Sequence, residues 1–241
     1  MSCETPSFRR ILVKISGEAL SGEGMSGIST EPLQYIIDEI KPVLSDGIQT
    51  AIVLGGGNIL RGGNLARTSG IRRFSADYMG MLGTVINGIA LKEKMVAEGM
   101  PVRLMSSIRM PDVCEHYTIE SALQHLSRGT AVILAGGTGR PFFTTDTTAA
   151  LRSVELGLDV FIKSTKVDGV YSADPKKDAN ARRFETLTFD EALQGNYGIM
   201  DSTAFAMCRD NGLPTLVINF FKKGSLRCAV RGEKTGTFIG G

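Results

Sequence analysis

Short hydrophobic runs alternate along the chain with segments in which hydrophobic residues recur every three or four positions. A short, continuously hydrophobic and β-branched run is typical of a buried strand, and the wider spacing is typical of a helix with one buried face. The runs predict strands at residues 9–16, 48–54, 102–105, 131–134, 159–163 and 215–219. The spaced segments predict helices at residues 31–45, 75–98, 119–127, 145–156, 189–193 and 202–211.

Strands and helices that alternate in this order predict an α/β protein with a mostly parallel sheet. Helical crossovers between parallel strands cover both faces of such a sheet, which explains why the strands are hydrophobic throughout. The chain has no linker rich in proline, serine or charge, no low-complexity tract and no clear internal repeat. We therefore predict one domain over residues 1–241, with two functional halves that meet near residues 145–165.

The composition excludes two broad classes of protein. The 241 residues are 42% hydrophobic and 22% charged, which is ordinary for a globular protein and argues against disorder as the main state. Lys and Arg total 27 against 25 Asp and Glu, a formal net charge of +2. An excess this weak argues against a dedicated nucleic-acid binder.

Targeting signals and cysteine usage favour a cytoplasmic protein. No hydrophobic stretch approaches the roughly 18 residues of a membrane span, and residues 1–6 do not resemble a signal peptide. The chain has two histidines, and its cysteines are scattered without a CxxC pair: Cys3, Cys114, Cys208 and Cys228. We expect free thiols in a reducing compartment, with neither a disulfide framework nor a structural zinc site.

Glycine-rich turns follow three of the predicted strands, at 16–17, 55–57 and 136–139. In open α/β sheets the ligand binds beyond the carboxyl ends of the strands. Glycine there lets backbone N–H groups approach an anion closely. Each turn taken alone could simply be tight, but three at successive strand ends favour a phosphate ligand.

Known phosphate-binding motifs narrow the chemistry. The chain has no GxxxxGK[ST] and no protein-kinase HRD or DFG set. The GxGxxG match at residues 22–27 does not directly follow a strand, and no acidic residue ends the second predicted strand. The sequence therefore argues against a Walker-A protein, a protein kinase and a Rossmann dehydrogenase.

Charged residues beside the glycines form a candidate catalytic set. Lys14 and Lys163 lie in otherwise hydrophobic strands, Arg61 follows the triple glycine, and Asp146 lies at a predicted helix start. A buried lysine needs an anion, although a snorkelling lysine and an N-cap aspartate are the alternatives. Two lysines, an arginine and an organising aspartate suit phosphoryl transfer, which depends on charge neutralisation and positioning.

Five runs of residues together resemble one known family. They are Lys14–Leu20, Gly55–Asn58 with Arg61 and Gly62, Asp77–Met81, Gly137–Asp146 and Lys163–Tyr171. They look like the corresponding runs of the bacterial uridylate (UMP) kinases in the amino-acid-kinase superfamily. The resemblance extends over roughly residues 9–239, and the PFFTTD and KSTKVDGVY runs are highly specific in combination.

The resemblance implies a three-layer αβα sandwich that transfers the γ-phosphate of ATP to UMP, in pyrimidine nucleotide synthesis. UMP would bind mainly to residues 9–160 and ATP mainly to residues 161–241. The implied ATP-binding residues are Lys14, Ile15, Ser16, Gly17, Gly57, Arg61, Thr165, Tyr171 and Asp174. The implied UMP-binding residues are Gly56, Asp77, Thr138, Gly139, Arg140, Pro141, Phe142, Phe143, Thr144 and Thr145.

The family also suggests roles at the reacting phosphate. Lys14 and Lys163 would stabilise the transferring group, Asp146 would hold them or contact Mg²⁺, and Mg²⁺ would arrive with ATP. Asp201 is a further candidate, with a helix N-cap as an equal alternative. Arg140 occupies a position where relatives often have asparagine, which leaves recognition there open.

Regulation and assembly are implied in the same way. The family is typically hexameric, inhibited by UTP and often activated by GTP. The loop associated with the GTP response matches Gly22, Glu23, Gly24, Met25, Ser26 and Gly27.

Two other functions stay open at this point. A kinase of the same fold could act on a carboxylate or a carbamate, although Asp77 with Phe142 and Phe143 suits a nucleoside better. A nucleotide-binding protein without catalysis is the third possibility, against which the joint presence of Lys14, Lys163 and Asp146 speaks.

Overall fold

A computed structural model of the protein describes residues 8–21, 26–60, 69–173, 175, 177–178, 180–195 and 197–241. The strands are β1 (Arg10–Ile15), β2 (Gln49–Leu54), β3 (Val102–Ser106), β4 (Glu115–His116), β5 (Ala131–Ala135), β6 (Val160–Thr165), β7 (Thr186–Leu187), β8 (Thr215–Asn219) and β9 (Thr237–Ile239). The helices are α1 (Glu18–Ser21), α2 (Thr30–Ser45), α3 (Arg73–Ala97), α4 (Ile119–Ser127), α5 (Thr145–Glu155), α6 (Phe189–Gly195), α7 (Ser202–Asp210) and α8 (Ser225–Val230).

The strands form one sheet in the order β4-β3-β5-β2-β1-β6-β8-β9-β7. All neighbouring strands are parallel except β8 and β9, which are antiparallel. Strand β1 lies in the middle, between β2 on one side and β6 on the other. The order of the strands therefore reverses at β1. At such a point a crevice opens beyond the carboxyl ends of the strands.

Alternate residues of β1 enter two separate hydrophobic cores, one on each face of the sheet. Ile11, Val13 and Ile15 pack with α2, α3 and α8 on one face. Leu12 packs on the other face with α4, α5, α6 and α7. Because side chains alternate along a strand, Lys14 shares the face of Leu12, under α5. The predicted three-layer αβα sandwich with a mostly parallel sheet is confirmed.

The six predicted strands and six predicted helices are all present, with ends that shift by a few residues. Five shorter elements were not predicted from the sequence: α1, α8, β4, β7 and β9. They have two to six residues, too few for a hydrophobic period to be recognisable. After β8 the chain reverses direction, and β9 pairs with β8 as an antiparallel strand.

Within the described part of the chain, no helix is both long enough and apolar enough to cross a membrane. Cys114, Cys208 and Cys228 are free thiols. In those same residues, no three His, Cys, Asp or Glu side chains are grouped so that they could hold a metal ion.

Candidate active site

Two lysines from neighbouring strands meet one aspartate at the centre of the sheet. Lys14 of β1 and Lys163 of β6 are register partners, so their side chains leave the same face. Asp146 reaches them from the first turn of α5. Its Oδ1 lies 3.0 Å from Lys14 Nζ, and its Oδ2 accepts a hydrogen bond from Lys163 Nζ. Each of the three side chains is about one-seventh exposed.

The start of α5 explains why Asp146 can reach the lysines. Thr144 is the N-cap, and its Oγ1 accepts a hydrogen bond from Thr147 N at 3.1 Å. The alternative in which Asp146 caps the helix is therefore wrong. The alternative of an edge-facing or snorkelling lysine is also wrong, because β1 and β6 are central strands and both ammonium groups meet a carboxylate.

Burial and the two ammonium groups act in opposite directions on Asp146. Burial alone would raise the pKa of this carboxyl, but the charges of Lys14 and Lys163 outweigh it and hold the pKa below its ordinary value. Burial also lowers the pKa of Lys163, against the opposing effect of Asp146. Two ammonium groups and one carboxylate leave the cluster with a net positive charge, which an anionic ligand would neutralise.

Lys14 and Lys163 contact Asp146 in different ways. Lys163 donates a hydrogen bond to Oδ2, whereas Oδ1, which is buried, is within ion-pair distance of Lys14 but accepts no aligned hydrogen bond. The attraction between Lys14 and Asp146 is therefore mainly Coulombic.

Asp201 joins α7 to the threonines at the start of α5. Its Oδ1 accepts from Ala204 N at 3.0 Å as the N-cap of α7 and from Thr147 Oγ1 at 2.8 Å. Thr144 Oγ1 donates to Oδ2 of the same carboxylate. The helix-cap interpretation of Asp201 is thus confirmed, and the same carboxylate also fixes the segment that carries Asp146. A role of Asp201 at the reacting phosphate stays a prediction.

A first cavity of about 580 Å³ opens beside Lys163, and we call it the Lys163 cavity. It contains two of the predicted nucleotide-binding residues, Thr165 and Tyr171, whereas Asp174 lies outside the described residues. Tyr197, Ile199 and Val217 also line it and were not predicted from the sequence. Tyr197 and Ile199 belong to the irregular segment before α7, where no periodic or glycine-rich pattern indicates a site.

A second cavity of about 290 Å³ opens between the turn after β2 and the first half of α3, and we call it the Asp77 cavity. The predicted UMP-binding residues that line it are Gly56, Asp77, Arg140, Phe143, Thr144 and Thr145. Gly57, which the resemblance assigned to ATP, lines this cavity and not the Lys163 cavity. Arg73, Met81 and Thr148 line it too and were not predicted. Thr145 directly precedes Asp146, so the Lys14–Asp146–Lys163 cluster lies between the two cavities.

Asp77 also holds the strained segment that precedes α5. Arg73 Nε donates to its carboxylate at 2.8 and 3.0 Å, and Phe142 N donates to Oδ2 at 2.9 Å. Phe142 has a φ of 74°, a conformation that is costly for a bulky residue. The rings of Phe142 and Phe143 are 66% and 51% exposed, but only Phe143 lines the cavity. An exposed aromatic ring at a cavity is suited to a flat ligand or a partner.

Close backbone packing is one reason for the glycines after β1 and β2. A Cβ atom on Gly17 would lie 2.8 Å from Gly55 O, and one on Gly56 would lie 2.5 Å from Gly80 O. Larger residues would push the turns apart. The glycines therefore let the turn after β1 pack on the turn after β2, and the turn after β2 pack on α3. This packing does not depend on a ligand.

The other predicted residues differ in what they could offer a ligand. The side chain of Ile15 is buried in the core on the face opposite Lys14, so only its backbone can reach a ligand. Thr138 Oγ1 donates to Arg140 O at 3.1 Å within the turn that also contains Gly139 and Pro141. Ser16 and Gly17 begin α1 through their carbonyls. Arg61, Gly22, Glu23, Gly24 and Met25 lie outside the described residues.

Comparison with known proteins adds to this geometry. A model of the amino acid kinase family matches residues 9–219. The chain is similar to the UMP kinase of Bacillus anthracis, with 37% identity, a TM-score of 0.94, and coverage of 97% of this chain and 96% of that one.

Two further solved structures are similar. The UMP kinase of Ureaplasma parvum shares 33% identity at a TM-score of 0.92, over 97% of this chain and 99% of that one. The uridylate kinase of Archaeoglobus fulgidus shares 28% identity at a TM-score of 0.73, over 95% and 99%.

Proposed function

This chain belongs to the amino acid kinase family, and from that premise we propose that it transfers the γ-phosphate of ATP to UMP, giving ADP and UDP. The observation that carries the proposal is the positively charged Lys14–Asp146–Lys163 cluster between two cavities. The likeness to UMP kinases over nearly the whole chain supports UMP as the acceptor.

The acceptor needs no catalytic base, because a phosphate oxygen of UMP is already an anion. That oxygen attacks the γ-phosphorus and forms a new P–O bond. The bond from the γ-phosphorus to the β–γ bridging oxygen breaks, and its electron pair leaves with ADP. Lys14 and Lys163 stabilise the negative charge on the oxygens of the transferring group, and Asp146 keeps both ammonium groups aimed at it.

We assign ATP to the Lys163 cavity and UMP to the Asp77 cavity. The first is lined by residues between 163 and 217 and the second by residues between 56 and 148. This distribution supports an N-terminal half for UMP and a C-terminal half for ATP. Asp77 would accept hydrogen bonds from the ribose hydroxyls of UMP, and the threonines at the start of α5 would donate to its phosphate.

Mg²⁺ enters with ATP in this proposal and supplies further charge neutralisation. Asp146 is engaged by two ammonium groups, and Asp201 is engaged by two threonine hydroxyls and a backbone N–H. Carboxylates held in this way fit an ion that keeps its phosphate and water ligands. Asp146 and Asp201 would then orient its water ligands.

Assembly and regulation extend the proposal. On α3, Tyr78, Leu82, Ile86 and Ile89 are each 37–47% exposed, and their spacing places them on one stripe of the helix. An exposed apolar stripe suits contact with another copy of the chain, which supports a homo-oligomer, and the family suggests a hexamer. We further propose a cytoplasmic enzyme of pyrimidine nucleotide synthesis with UTP as an inhibitor and GTP as an activator.

A panel of acceptors tests the reaction. With ATP and Mg²⁺, we expect ADP release with UMP to exceed that with CMP, glutamate, aspartate or carbamate by at least about 10²-fold, since a site built for one acceptor leaves polar groups unpaired with another. A coupled ADP-release assay measures this, with and without GTP and UTP.

Other outcomes of the panel would favour the other candidate functions. Turnover of an amino acid or carbamate without turnover of UMP would indicate a kinase for carboxylates or carbamates. Binding of ATP and UMP without turnover of any acceptor would indicate a nucleotide-binding protein.

Replacement of Asp77 by asparagine tests the assignment of the Asp77 cavity. We expect KM for UMP to rise about 10- to 100-fold, because hydrogen bonds to a charged group are lost, while KM for ATP stays within about twofold. The preference for UMP over dUMP should shrink as well. Steady-state kinetics with both acceptors provides the measurement.

The matched control for Asp77 is Glu93→Gln, which removes an exposed carboxylate from the same helix. Glu93→Gln should leave both KM values unchanged. An Asp77→Asn enzyme with the KM for UMP of the parent enzyme would remove Asp77 from the acceptor site.

A further inference from the structure

Two asparagines form a buried amide pair behind the turn that follows β2. Asn58 ends that turn and is 4% exposed, and Asn87 lies in the middle of α3 and is 0% exposed. Asn87 Nδ2 donates to Asn58 Oδ1 at 2.7 Å, and Asn58 Nδ2 donates to Asn87 Oδ1 at 3.0 Å. The two side chains therefore bind each other reciprocally.

The remaining N–H groups of the pair bind backbone carbonyls. Asn87 Nδ2 donates to Gly55 O at 2.7 Å, and Asn58 Nδ2 donates to Gly27 O at 2.7 Å. Gly27 N in turn donates to Asn58 O at 3.0 Å. All four side-chain amide hydrogens are thus used, which is what a buried polar pair requires.

The pair also determines how closely the neighbouring turns approach. A Cβ atom on Gly17 would lie 2.5 Å from Asn58 Oδ1, so the turn after β1 packs directly on the pair. Three segments converge on it: the turn at Gly17, the turn at residues 55–57 and the segment at Gly27. An apolar pair would fill the same space, but it could not hold the Gly55 and Gly27 carbonyls.

The bond from Asn87 to Gly55 O has a directional consequence. The described residues contain no cis peptide bond, and in a trans peptide the C=O and the next N–H point in opposite directions. Since Gly55 O points at α3, Gly56 N–H points away from Asn87. Gly56 lines the Asp77 cavity, where the proposed acceptor phosphate would bind.

We propose that Asn87 is a positioning residue for phosphoryl transfer. Together with Asn58 it fixes the peptide between Gly55 and Gly56 and thereby aims the backbone N–H of Gly56 at the acceptor. The same pair binds the Gly27 segment to the turn, because Asn58 Nδ2 donates to Gly27 O. A displacement of Gly27 would therefore act on the turn through the side chain of Asn58. The inference rests on the proposed function for the identity of the acceptor.

Asn87→Asp tests this role with almost no change in volume. An ionised aspartate cannot donate to Gly55 O, and burial raises the pKa of a carboxyl. We expect kcat per folded enzyme to fall about 10- to 100-fold near pH 8, because misplaced groups lose that much. The deficit relative to the parent enzyme should narrow near pH 6, where the protonated carboxyl donates one hydrogen bond again.

Leu91→Ala is the matched control. Leu91 is fully buried one helical turn further along α3, and its truncation leaves a cavity that destabilises the core. We expect its melting temperature to be lower than that of the parent enzyme and its kcat per folded enzyme to be unchanged. The ratio of its kcat to that of the parent enzyme should not vary between pH 6 and pH 8. Asn87→Ala, which buries no charge, is measured alongside in case Asn87→Asp does not fold.

The outcomes separate positioning from a merely structural role. Loss of kcat in the Asn87 variants but not in Leu91→Ala supports the inference. Asn87 variants with kcat within about twofold of the parent enzyme, or an equal loss in Leu91→Ala, overturn it. A parent enzyme that fails to phosphorylate UMP overturns the proposed function alone. In that case, calorimetry measures the affinity for UMP. Weaker binding of UMP by the Asn87 variants but not by Leu91→Ala supports the inference, and affinity equal to that of the parent protein overturns it.

Discussion

Lys14→Met should lower kcat about 10³-fold and leave the protein folded. The variant removes one of the two ammonium groups that neutralise the transferring phosphoryl group, and cations in that position are worth at least this much in phosphoryl transfer. Folding should be spared because Asp146 keeps its hydrogen bond from Lys163, which leaves one positive and one negative charge in the pocket. Steady-state kinetics and thermal melting measure the two effects separately.

The loss in Lys14→Met should affect kcat more than either KM, since the ammonium group acts mainly on charge that develops in the transition state. Lys92→Met is the control, because Lys92 forms an exposed ion pair with Glu93 far along α3 and should change neither kcat nor KM. An unaltered kcat in Lys14→Met would exclude Lys14 from the reaction and with it the proposed role of the cluster.

Asp146→Asn should be the most destabilising single substitution in the site. It removes the carboxylate that contacts both buried ammonium groups and leaves only the charge of Asp201 acting on Lys163. Breaking a buried ion pair in this way costs about 3–5 kcal/mol. Activity should fall as well, because neither lysine is then held towards the reacting phosphate. Chemical denaturation measures the free energy of unfolding, and the assay with saturating UMP measures kcat.

The instability of Asp146→Asn should depend on pH in a defined direction. Without the aspartate, the pKa of Lys163 falls further below its ordinary value. Above that lowered pKa, the unfolded chain binds more protons than the folded one. Stability then rises with pH up to the ordinary lysine pKa of about 10.4. The deficit relative to the parent protein should therefore shrink as the pH rises towards the ordinary lysine pKa.

The parent protein should respond in the acidic range as well. The lowered pKa of Asp146 stabilises the folded state above the ordinary aspartate pKa, and this contribution is lost as the pH falls through the folded-state value. Asp210→Asn, which alters an exposed ion pair with Arg209, is the control and should show neither effect. A deficit in Asp146→Asn that grows as the pH rises from neutral towards the ordinary lysine pKa would contradict the arrangement of charges described for the cluster.

The sequence was sufficient for the six longer strands, the six longer helices and the three charged residues that meet at the centre of the sheet. Lys14 and Lys163 could be found because each is a charged residue within a hydrophobic run, which can be recognised from the sequence alone. Asp146 could be found because it follows two threonines at a predicted helix start. The structure then decided between its two roles, since Thr144 caps the helix.

Other residues left no local signal. Tyr197 and Ile199 reach the Lys163 cavity from an irregular segment, and their approach depends on how α6 and α7 pack. In the sequence, Asn87 is a single polar residue within a long predicted helix. Its partner Asn58 lies 29 residues earlier. Only tertiary packing brings such a pair together, so no spacing along the chain predicts it.

The central position of β1 has a consequence for biosynthesis. Its two neighbours differ greatly in distance along the chain, because β2 follows closely whereas about 150 residues separate Lys14 from its register partner Lys163. At roughly 5–20 residues per second, a ribosome needs roughly 8–30 s to make that interval. During this time one edge of β1 has no strand beside it, so a nascent chain exposes an open edge and remains inactive until β6 emerges and docks.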